Sequence, residues 1–163
     1  LCNFGIEARG QHPMNCVTYE QASSYCRWRR KRLPTESEWV RAAKPLGYAK
    51  PWGNQAPSCE FAVMYEAEGK GCGEQHTAPV ATRPRGRSPH GLWDLVGNVR
   101  EWLIPAGHET APEAFTPSPH DLIPVRGGAW HQGAPAQDPD NKTMLLASEA
   151  DEFTGFRCVI AKQ

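Results

Sequence analysis

Apolar residues recur with a helical period in a stretch near the start of the chain. Ala22, Tyr25 and Cys26 stand at positions i, i+3 and i+4, and Thr18 with Gln21 forms the pattern of a capping box. A capping box satisfies backbone N–H groups that a helix leaves free at its start. We therefore predict a helix that begins after Thr18 and buries the face carrying the three apolar residues.

A second helix is predicted in the segment that begins TESE. Thr35 and Glu38 form another capping box, and Trp39 and Ala42 lie on the side that should be buried. A proline disfavours helical backbone in the residue before it, so this helix should end by Lys44, where a proline follows.

Beyond residue 51 the pattern changes to short apolar pieces separated by glycine and proline. The pieces include HGLWDLVG, DLIPVRGGAW and GFRCVIA, and the last of these predicts a buried strand. Long loops are expected over residues 45–90 and 104–124, with residues 106–121 as a surface excursion. Such a chain suits a fold of short elements joined by long structured loops.

Charge and hydropathy exclude some classes of partner. The 18 basic and 18 acidic side chains cancel, which gives no electrostatic case for nucleic acid or for an anionic membrane. The densest basic run, RWRRKR at 27–32, is interpreted as the solvated end of the first helix. No apolar run approaches the roughly 20 residues that span a bilayer. We therefore expect neither nucleic acid nor a membrane span.

The cysteines indicate an oxidising compartment. There are six, an even number, in a chain of 163 residues, so a periplasmic or extracellular location is expected. No C-x-x-C pair is present, which argues against a structural zinc site, and sequence logic alone leaves the pairing open. The six histidines are scattered, and we interpret them as surface or hydrogen-bonded residues rather than ligands.

Several motifs, in order from His12 to Val159, carry a resemblance to a known family. They are HPMNCVTYEQASSYCRWRRKRLPTESEWVRAA, PWGN, GLWDLVGNVREW, VRGGAW and TGFRCV. Together they resemble the sulfatase-modifying-factor family, whose founding member is the formylglycine-generating enzyme. The resemblance implies a modified C-type-lectin-like α+β fold, loop-rich, with two main helices and short antiparallel strands. It also implies a single domain over 1–163 without the family's usual N-terminal segment, so a preceding segment or a partner chain is expected.

The stretch WDLVGNVREW, residues 93–102, matches a calcium-binding turn of the family. The resemblance implies one structural calcium ion, held by the side chains of Asp94 and Glu101 and by the carbonyls of Gly97 and Val99. Calcium is a hard cation that takes oxygen ligands, and this turn supplies four of them. The alternative is that Asp94 caps a helix while Glu101 lies on the surface.

The copper site of the family is not expected here. The formylglycine-generating enzyme oxidises a cysteine of its sulfatase client and uses two cysteines that bind copper(I), a soft ion suited to thiolates. At its serine and cysteine positions this chain has Ala129, Gln132 and Gln137. Glutamine offers no thiolate, so we expect no copper, no catalytic residue and no formylglycine-generating activity.

The resemblance also assigns disulfides. It implies a bridge between Cys26 and Cys158, and with that bridge in place we expect two further pairs that each close a short surface loop. The expected bridges are Cys26–Cys158, Cys59–Cys72 and Cys2–Cys16.

What remains is a recognition function. Trp130, His131 and Gln132 would line the concave face formed around the GG-x-W turn, and for Trp130 the favoured alternative is a core position. We expect a non-catalytic, calcium-stabilised module that binds a protein or small-molecule ligand. One alternative is an enzyme of the same family with an unrecognised oxidative chemistry. Another is a variable binding protein of the diversity-generating-retroelement type, whose members resemble this fold.

Overall fold

The computed structural model describes residues 2–160 as two α-helices and a small sheet, joined by long loops. The helices are α1 (Tyr19–Trp28) and α2 (Glu36–Ala43). The strands are β1 (Arg100–Trp102), β2 (Leu122–Arg126), β3 (Lys142–Leu146) and β4 (Thr154–Gly155). The predicted α+β class with two main helices is confirmed.

Both helices begin at the predicted capping boxes. The Thr18 hydroxyl accepts from the backbone N–H of Gln21 at 3.2 Å, and the Gln21 side chain accepts from the N–H of Thr18 at 2.9 Å. Thr35 and Glu38 repeat this arrangement at the start of α2. The second helix ends at Ala43, within the predicted limit.

One part of the helix prediction was wrong. Ala22 and Cys26 are completely buried, but Tyr25 is 45% exposed. Tyr25 lies at the edge of the buried face, where its ring packs between Trp28 and Phe156 with centroid separations of 5.7 and 5.5 Å. Contact with these two rings, rather than burial in the core, holds its side chain.

The sheet has the strand order β3-β2-β1-β4. Strands β1, β2 and β3 pair antiparallel as expected, whereas β4 pairs with β1 in parallel, so the sheet is mixed. A parallel pair needs a long connection, and residues 103–153 provide it. The register that places Glu101 opposite Gly155 brings the GFRC segment beside β1.

The described part of the segment GFRCVIA, residues 155–160, does not form the predicted strand, and its last residue, Ala161, lies outside the described residues. Strand β4 ends at Gly155, and within residues 156–160 only Val159 forms a β-bridge, with Arg32. The intervening side chains are tied elsewhere, since Arg157 bonds Glu101 and Cys158 is linked to Cys26. These links replace a regular ladder.

The three expected disulfides are present as Cys2–Cys16, Cys26–Cys158 and Cys59–Cys72. The bridge from Cys26 joins α1 to the end of the described chain, across the main core. That core packs α1 against the sheet and consists of Tyr19, Ala22, Cys26, Leu33, Trp102, Ile104, Ile123, Val125, Leu145 and Ala147.

The long loops lie where they were predicted, except that β2 begins at Leu122, inside the predicted 104–124 loop. Residues 45–90 contain two short 3-10 turns, Pro45–Gly47 and Pro84–Gly86, and residues 106–121 are mostly exposed around the turn Pro112–Ala114. Within residues 2–160, no helix has both the length and the apolar character that crossing a membrane requires.

Candidate functional site

The turn of residues 93–102 leads into β1 through an unusual backbone. Asp94 and Asn98 have positive φ values of 52° and 63°, and Gly97 has φ 78°. A Cβ atom at Gly97 would lie 2.7 Å from the carbonyl oxygen of Val63, so only glycine fits this position. The turn is therefore packed directly against the neighbouring loop.

The side chain of Glu101 is buried and forms a bidentate ion pair with Arg157. Its Oε2 accepts from Arg157 Nε at 2.6 Å and from Trp39 Nε1 at 2.8 Å, and its Oε1 accepts from Arg157 Nη2 at 2.6 Å. Burial alone would lower the pKa of Arg157, but the charge and hydrogen bonds of Glu101 outweigh it. The pKa of Arg157 is raised, and the guanidinium stays charged.

Arg157 also ties the start of the turn to its end. Its Nη2 donates to the carbonyl oxygens of Trp93 at 3.0 Å and Asp94 at 3.1 Å. Sequence reasoning missed this residue. The available signal was a single arginine inside the apolar piece GFRCVIA, since a charge in a buried run needs a partner.

Asp94 lies at the opening of the turn, and its Oδ2 accepts from the backbone N–H of Ala81 at 2.7 Å. Burial raises the pKa of Asp94, against the opposing effects of that hydrogen bond and of the charges on Arg157 and Arg83. The carboxyl group thus anchors the loop before the turn.

The fit of the predicted calcium ligands can be judged from these contacts. Asp94, Gly97, Val99 and Glu101 share one turn, and their oxygens are the hard donors that calcium prefers. Glu101 Oε2 already accepts two hydrogen bonds, whereas Oε1 accepts one from Arg157. The set fits calcium if the ion shares Oε1 with the guanidinium, and the calcium ligation remains a prediction.

The GG-x-W loop follows β2 and lies against the same turn. Gly127 and Gly128 have positive φ values of 103° and 67°. A Cβ atom on Gly128 would lie 2.5 Å from the Oε1 atom of Gln137. The glycines let the loop fold tightly over the Gln137 side chain.

Gln137 brings together the three positions that the resemblance assigns to the family's serine and two cysteines. Its side chain is completely buried, and Nε2 donates to the carbonyl oxygens of Ala129 at 3.2 Å and Gln132 at 3.0 Å. Its Oε1 has no hydrogen-bond partner in residues 2–160. Every cysteine in that range is in a disulfide, so these positions have no thiolate within the described chain.

The predicted recognition residues differ in exposure. Trp130 is only 6% exposed and donates from Nε1 to the carbonyl oxygen of Glu152 at 3.4 Å, so it is mainly a core residue. The His131 ring packs against Phe153 with centroids 3.7 Å apart and an interplanar angle of 36°. Burial, followed by the charges of Arg100 and Lys70, lowers the pKa of His131. His131 and Gln132 are half-buried.

A cleft of about 250 Å³ opens beside Gln132. Its basic lining consists of Arg100, Arg126 and Lys142. Arg126 and Lys142 both bond Glu36, at 2.5 and 3.2 Å, and Arg100 bonds Asp151 at 2.5 Å. Three cations face two carboxylates, which leaves a surplus of one positive charge.

The capped helices, the Gly-Asn turn over Glu101 and the GG-x-W loop define a class of α+β domain. The chain belongs to the sulfatase-modifying-factor family, because the model of the sulfatase-modifying factor enzyme 1-like domain matches residues 2–162. This confirms the family expected from the sequence motifs.

Curated relatives include enzymes and an inactive form. The chain is 33% identical over 165 residues to inactive C-alpha-formylglycine-generating enzyme 2 of Bos taurus, which covers 94% of this chain and 52% of that protein. It is 36% identical over 141 residues to hercynine oxygenase of Mycolicibacterium smegmatis, covering 76% and 32%. The chain thus spans about half the length, or less, of these relatives.

Solved structures share the fold. Variable protein 1 of Treponema denticola has a TM-score of 0.71 at 19% identity, over 93% of this chain and 72% of that one. PvdO of Pseudomonas aeruginosa also has a TM-score of 0.71, at 22% identity, over 90% and 60%. The predicted fold type is therefore confirmed.

Proposed function

We propose that this domain is a non-catalytic binding module of the formylglycine-generating-enzyme fold. The observation that carries the proposal is the side chain of Gln137, which lies buried at a catalytic position and bonds the backbone of Ala129 and Gln132. Copper(I) prefers thiolate ligands, and no described cysteine is free to supply one. Similarity to a relative named as inactive supports the same conclusion.

The recognition surface would comprise His131, Gln132 and the adjoining basic cleft. The surplus positive charge favours a ligand with a carboxylate or another anionic group, presented by a small molecule or by a protein side chain. Lys142 is the most available cation, because 47% of its side chain is exposed while Arg126 is 10% exposed.

A titration with citrate, used as an anionic probe, tests this assignment. Proton–nitrogen NMR spectra should show saturable shifts at Gln132, Asn141 and Lys142, and Lys142→Gln should weaken them. Lys31→Gln is the matched control, since Lys31 is exposed and outside the cleft. Shifts scattered over the surface, or shifts unchanged by Lys142→Gln, would reject the cleft as the recognition site.

Calcium is proposed as a structural ion of the turn, held by Asp94 and Glu101 with the carbonyls of Gly97 and Val99. It would neutralise the Asp94 carboxylate and hold the turn closed. Elemental analysis should find about one calcium per chain, and a calcium-selective chelator should lower the melting temperature. Asp94→Ala should remove that response, and unchanged melting of the unsubstituted protein would contradict the site.

A periplasmic or extracellular location is part of the proposal. It is supported by the three disulfides, which persist where the environment is oxidising. Thiol labelling of protein taken directly from cells should leave the six cysteines unlabelled, and extensive labelling would contradict this location.

An oxidative enzyme is the second candidate, favoured by the similarity to hercynine oxygenase. It would use the same cleft with chemistry other than the copper–cysteine type. Stoichiometric redox metal in the purified protein, together with oxygen uptake in the presence of thiols, would move this candidate ahead of the binding module.

A further inference from the structure

Two histidines that are far apart in the sequence meet on the surface of the fold. His12 belongs to the N-terminal disulfide loop, and His76 follows the Cys59–Cys72 loop. Their ring centroids lie 5.6 Å apart with an interplanar angle of 59°, and both side chains are half-buried. Their spacing in sequence gave no sign of this contact.

Thr77 contacts both histidine rings and orients them. His76 Nδ1 donates to the carbonyl oxygen of Thr77 at 2.5 Å, and His12 Nδ1 lies 2.8 Å from the Thr77 hydroxyl. A carbonyl only accepts, so the His76 proton is on Nδ1 and the neutral ring has its lone pair on Nε2.

The Thr77 hydroxyl also contacts Asn3, whose Oδ1 lies 3.3 Å away. When the hydroxyl donates to Asn3 Oδ1, its oxygen can accept from His12 Nδ1 at 2.8 Å, and this is the His12 tautomer that a metal ion at Nε2 would select. Thr77 is 1% exposed and therefore a fixed anchor. In that tautomer both neutral rings have their lone pair on Nε2.

The contacts of the two Nδ1 atoms are of the kind that metal-binding histidines make. A ligating histidine usually donates its other ring N–H to a protein oxygen, which fixes the ring and its tautomer. Zinc binds imidazole nitrogen at about 2.0–2.1 Å with tetrahedral angles, so two rings sharing one ion have centroids roughly 5–6 Å apart. The observed 5.6 Å falls in that range.

We propose that His12 and His76 bind one borderline transition-metal dication, such as Zn²⁺, through their Nε2 atoms. Thr77 is the positioning residue for both rings, and water completes the coordination shell. Imidazole suits zinc and copper(II), whereas calcium prefers oxygen, so this site is separate from the turn of Asp94 and Glu101. It does not depend on the proposed binding function.

The ion would join the loop closed by Cys2–Cys16 to the segment that follows the Cys59–Cys72 loop. The present contacts between these two parts include a hydrogen bond from Asn3 to Thr77 and the contact of His12 Nδ1 with the Thr77 hydroxyl. A ligand that binds the folded state alone stabilises it by mass action, so zinc should raise the melting temperature.

Calorimetric titration of the chain with Zn²⁺, in excess calcium, tests the proposal. We expect about one zinc per chain and at least about a tenfold loss of affinity in His12→Gln and in His76→Gln. His90→Gln is the matched control, because His90 is an exposed histidine away from the pair. Affinity that survives either substitution, or equal loss in the control, overturns the assignment.

A spectroscopic readout needs no variant and covers the case in which a substitution unfolds the protein. Copper(II) bound at this site should give an electron paramagnetic resonance spectrum with hyperfine splitting from two imidazole nitrogens. A spectrum without coupled nitrogens, or the absence of saturable metal binding by the unsubstituted protein, overturns the proposal.

Discussion

The turn of residues 93–102 and the GG-x-W loop of residues 127–137 lie in contact but have different polar interiors. The turn encloses an ion pair, Glu101 with Arg157, whose groups bond each other, a tryptophan and two backbone carbonyls. The loop encloses one neutral amide, Gln137, with an unpartnered oxygen in the described chain.

Each backbone carbonyl that accepts from the Gln137 amide also has a second donor. The carbonyl of Ala129 also accepts from the N–H of Gln132 at 3.0 Å, and the carbonyl of Gln132 also accepts from the N–H of Tyr65 at 3.0 Å. In the turn, the buried charged groups are therefore each held by several partners. At the positions where copper chemistry would occur, the polar group mainly fills space.

The largest effect is expected from breaking the buried ion pair. Glu101→Gln leaves the Arg157 charge without its partner and should cost about 3–5 kcal/mol of unfolding free energy. Chemical denaturation in the presence of a chelator measures this loss. Glu60→Gln breaks the exposed pair with Arg85 and should cost at most about 1 kcal/mol. Equal losses in the two variants would contradict the importance of the turn.

A smaller loss is expected in the loop from Gly128→Ala. An alanine there must adopt a positive φ of 67° and place Cβ against Gln137 and the carbonyl of Ala136, which should cost about 1–3 kcal/mol. Gly107→Ala is the matched control, because Gly107 has φ 92° and no atom near its added Cβ. A loss of stability no greater than the control's would mean that the loop shifts around Gln137 to accommodate the added Cβ atom.

Replacing the amide itself should have little effect. Gln137→Met keeps the volume and removes the unpartnered Oε1, while both carbonyls keep a backbone donor, so the change should stay under about 1 kcal/mol. Thermal and chemical denaturation measure it. A loss above about 2 kcal/mol would show that the Gln137 bonds support the loop, and the contrast with the turn would fail.

The smallest effect concerns pH and His131. The pKa of His131 is lowered mainly by burial, so below about pH 6.5 the unfolded chain binds more protons than the folded one. Stability should therefore fall as pH decreases through that range, and His131→Gln should flatten part of the slope. Denaturation midpoints between pH 5 and 8 test this, with His90→Gln as the control, and an unchanged slope in His131→Gln would contradict it.

The sequence predicted those features whose signals are local. The capping boxes at Thr18 and Thr35 specify where α1 and α2 begin, because the groups that interact lie three residues apart. The long loops followed from glycine and proline spacing. The disulfides followed from family resemblance, since the separation of Cys26 and Cys158 has no local signal.

The features that were missed depend on contacts between distant segments. The exposure of Tyr25 depends on Phe156, and the loss of the strand at GFRCVIA depends on the side-chain links of Arg157 and Cys158. The contact of His12 with His76 likewise requires the fold. Of the candidate site, the resemblance assigns Ala129, Gln132 and Gln137 to the catalytic positions, which stays a prediction, and their joint contact through one amide could not be predicted from the sequence.

The central claim is that this domain keeps the family fold without the family's copper chemistry. The most direct test supplies the purified protein with copper(I), oxygen, a thiol and a sulfatase-derived cysteine peptide, and follows the peptide by mass spectrometry. The formylglycine-generating enzyme of Streptomyces coelicolor, 39% identical to this chain over 110 residues, serves as the positive control. We predict an unchanged cysteine peptide with this protein. Catalytic conversion of the cysteine to formylglycine would contradict the account.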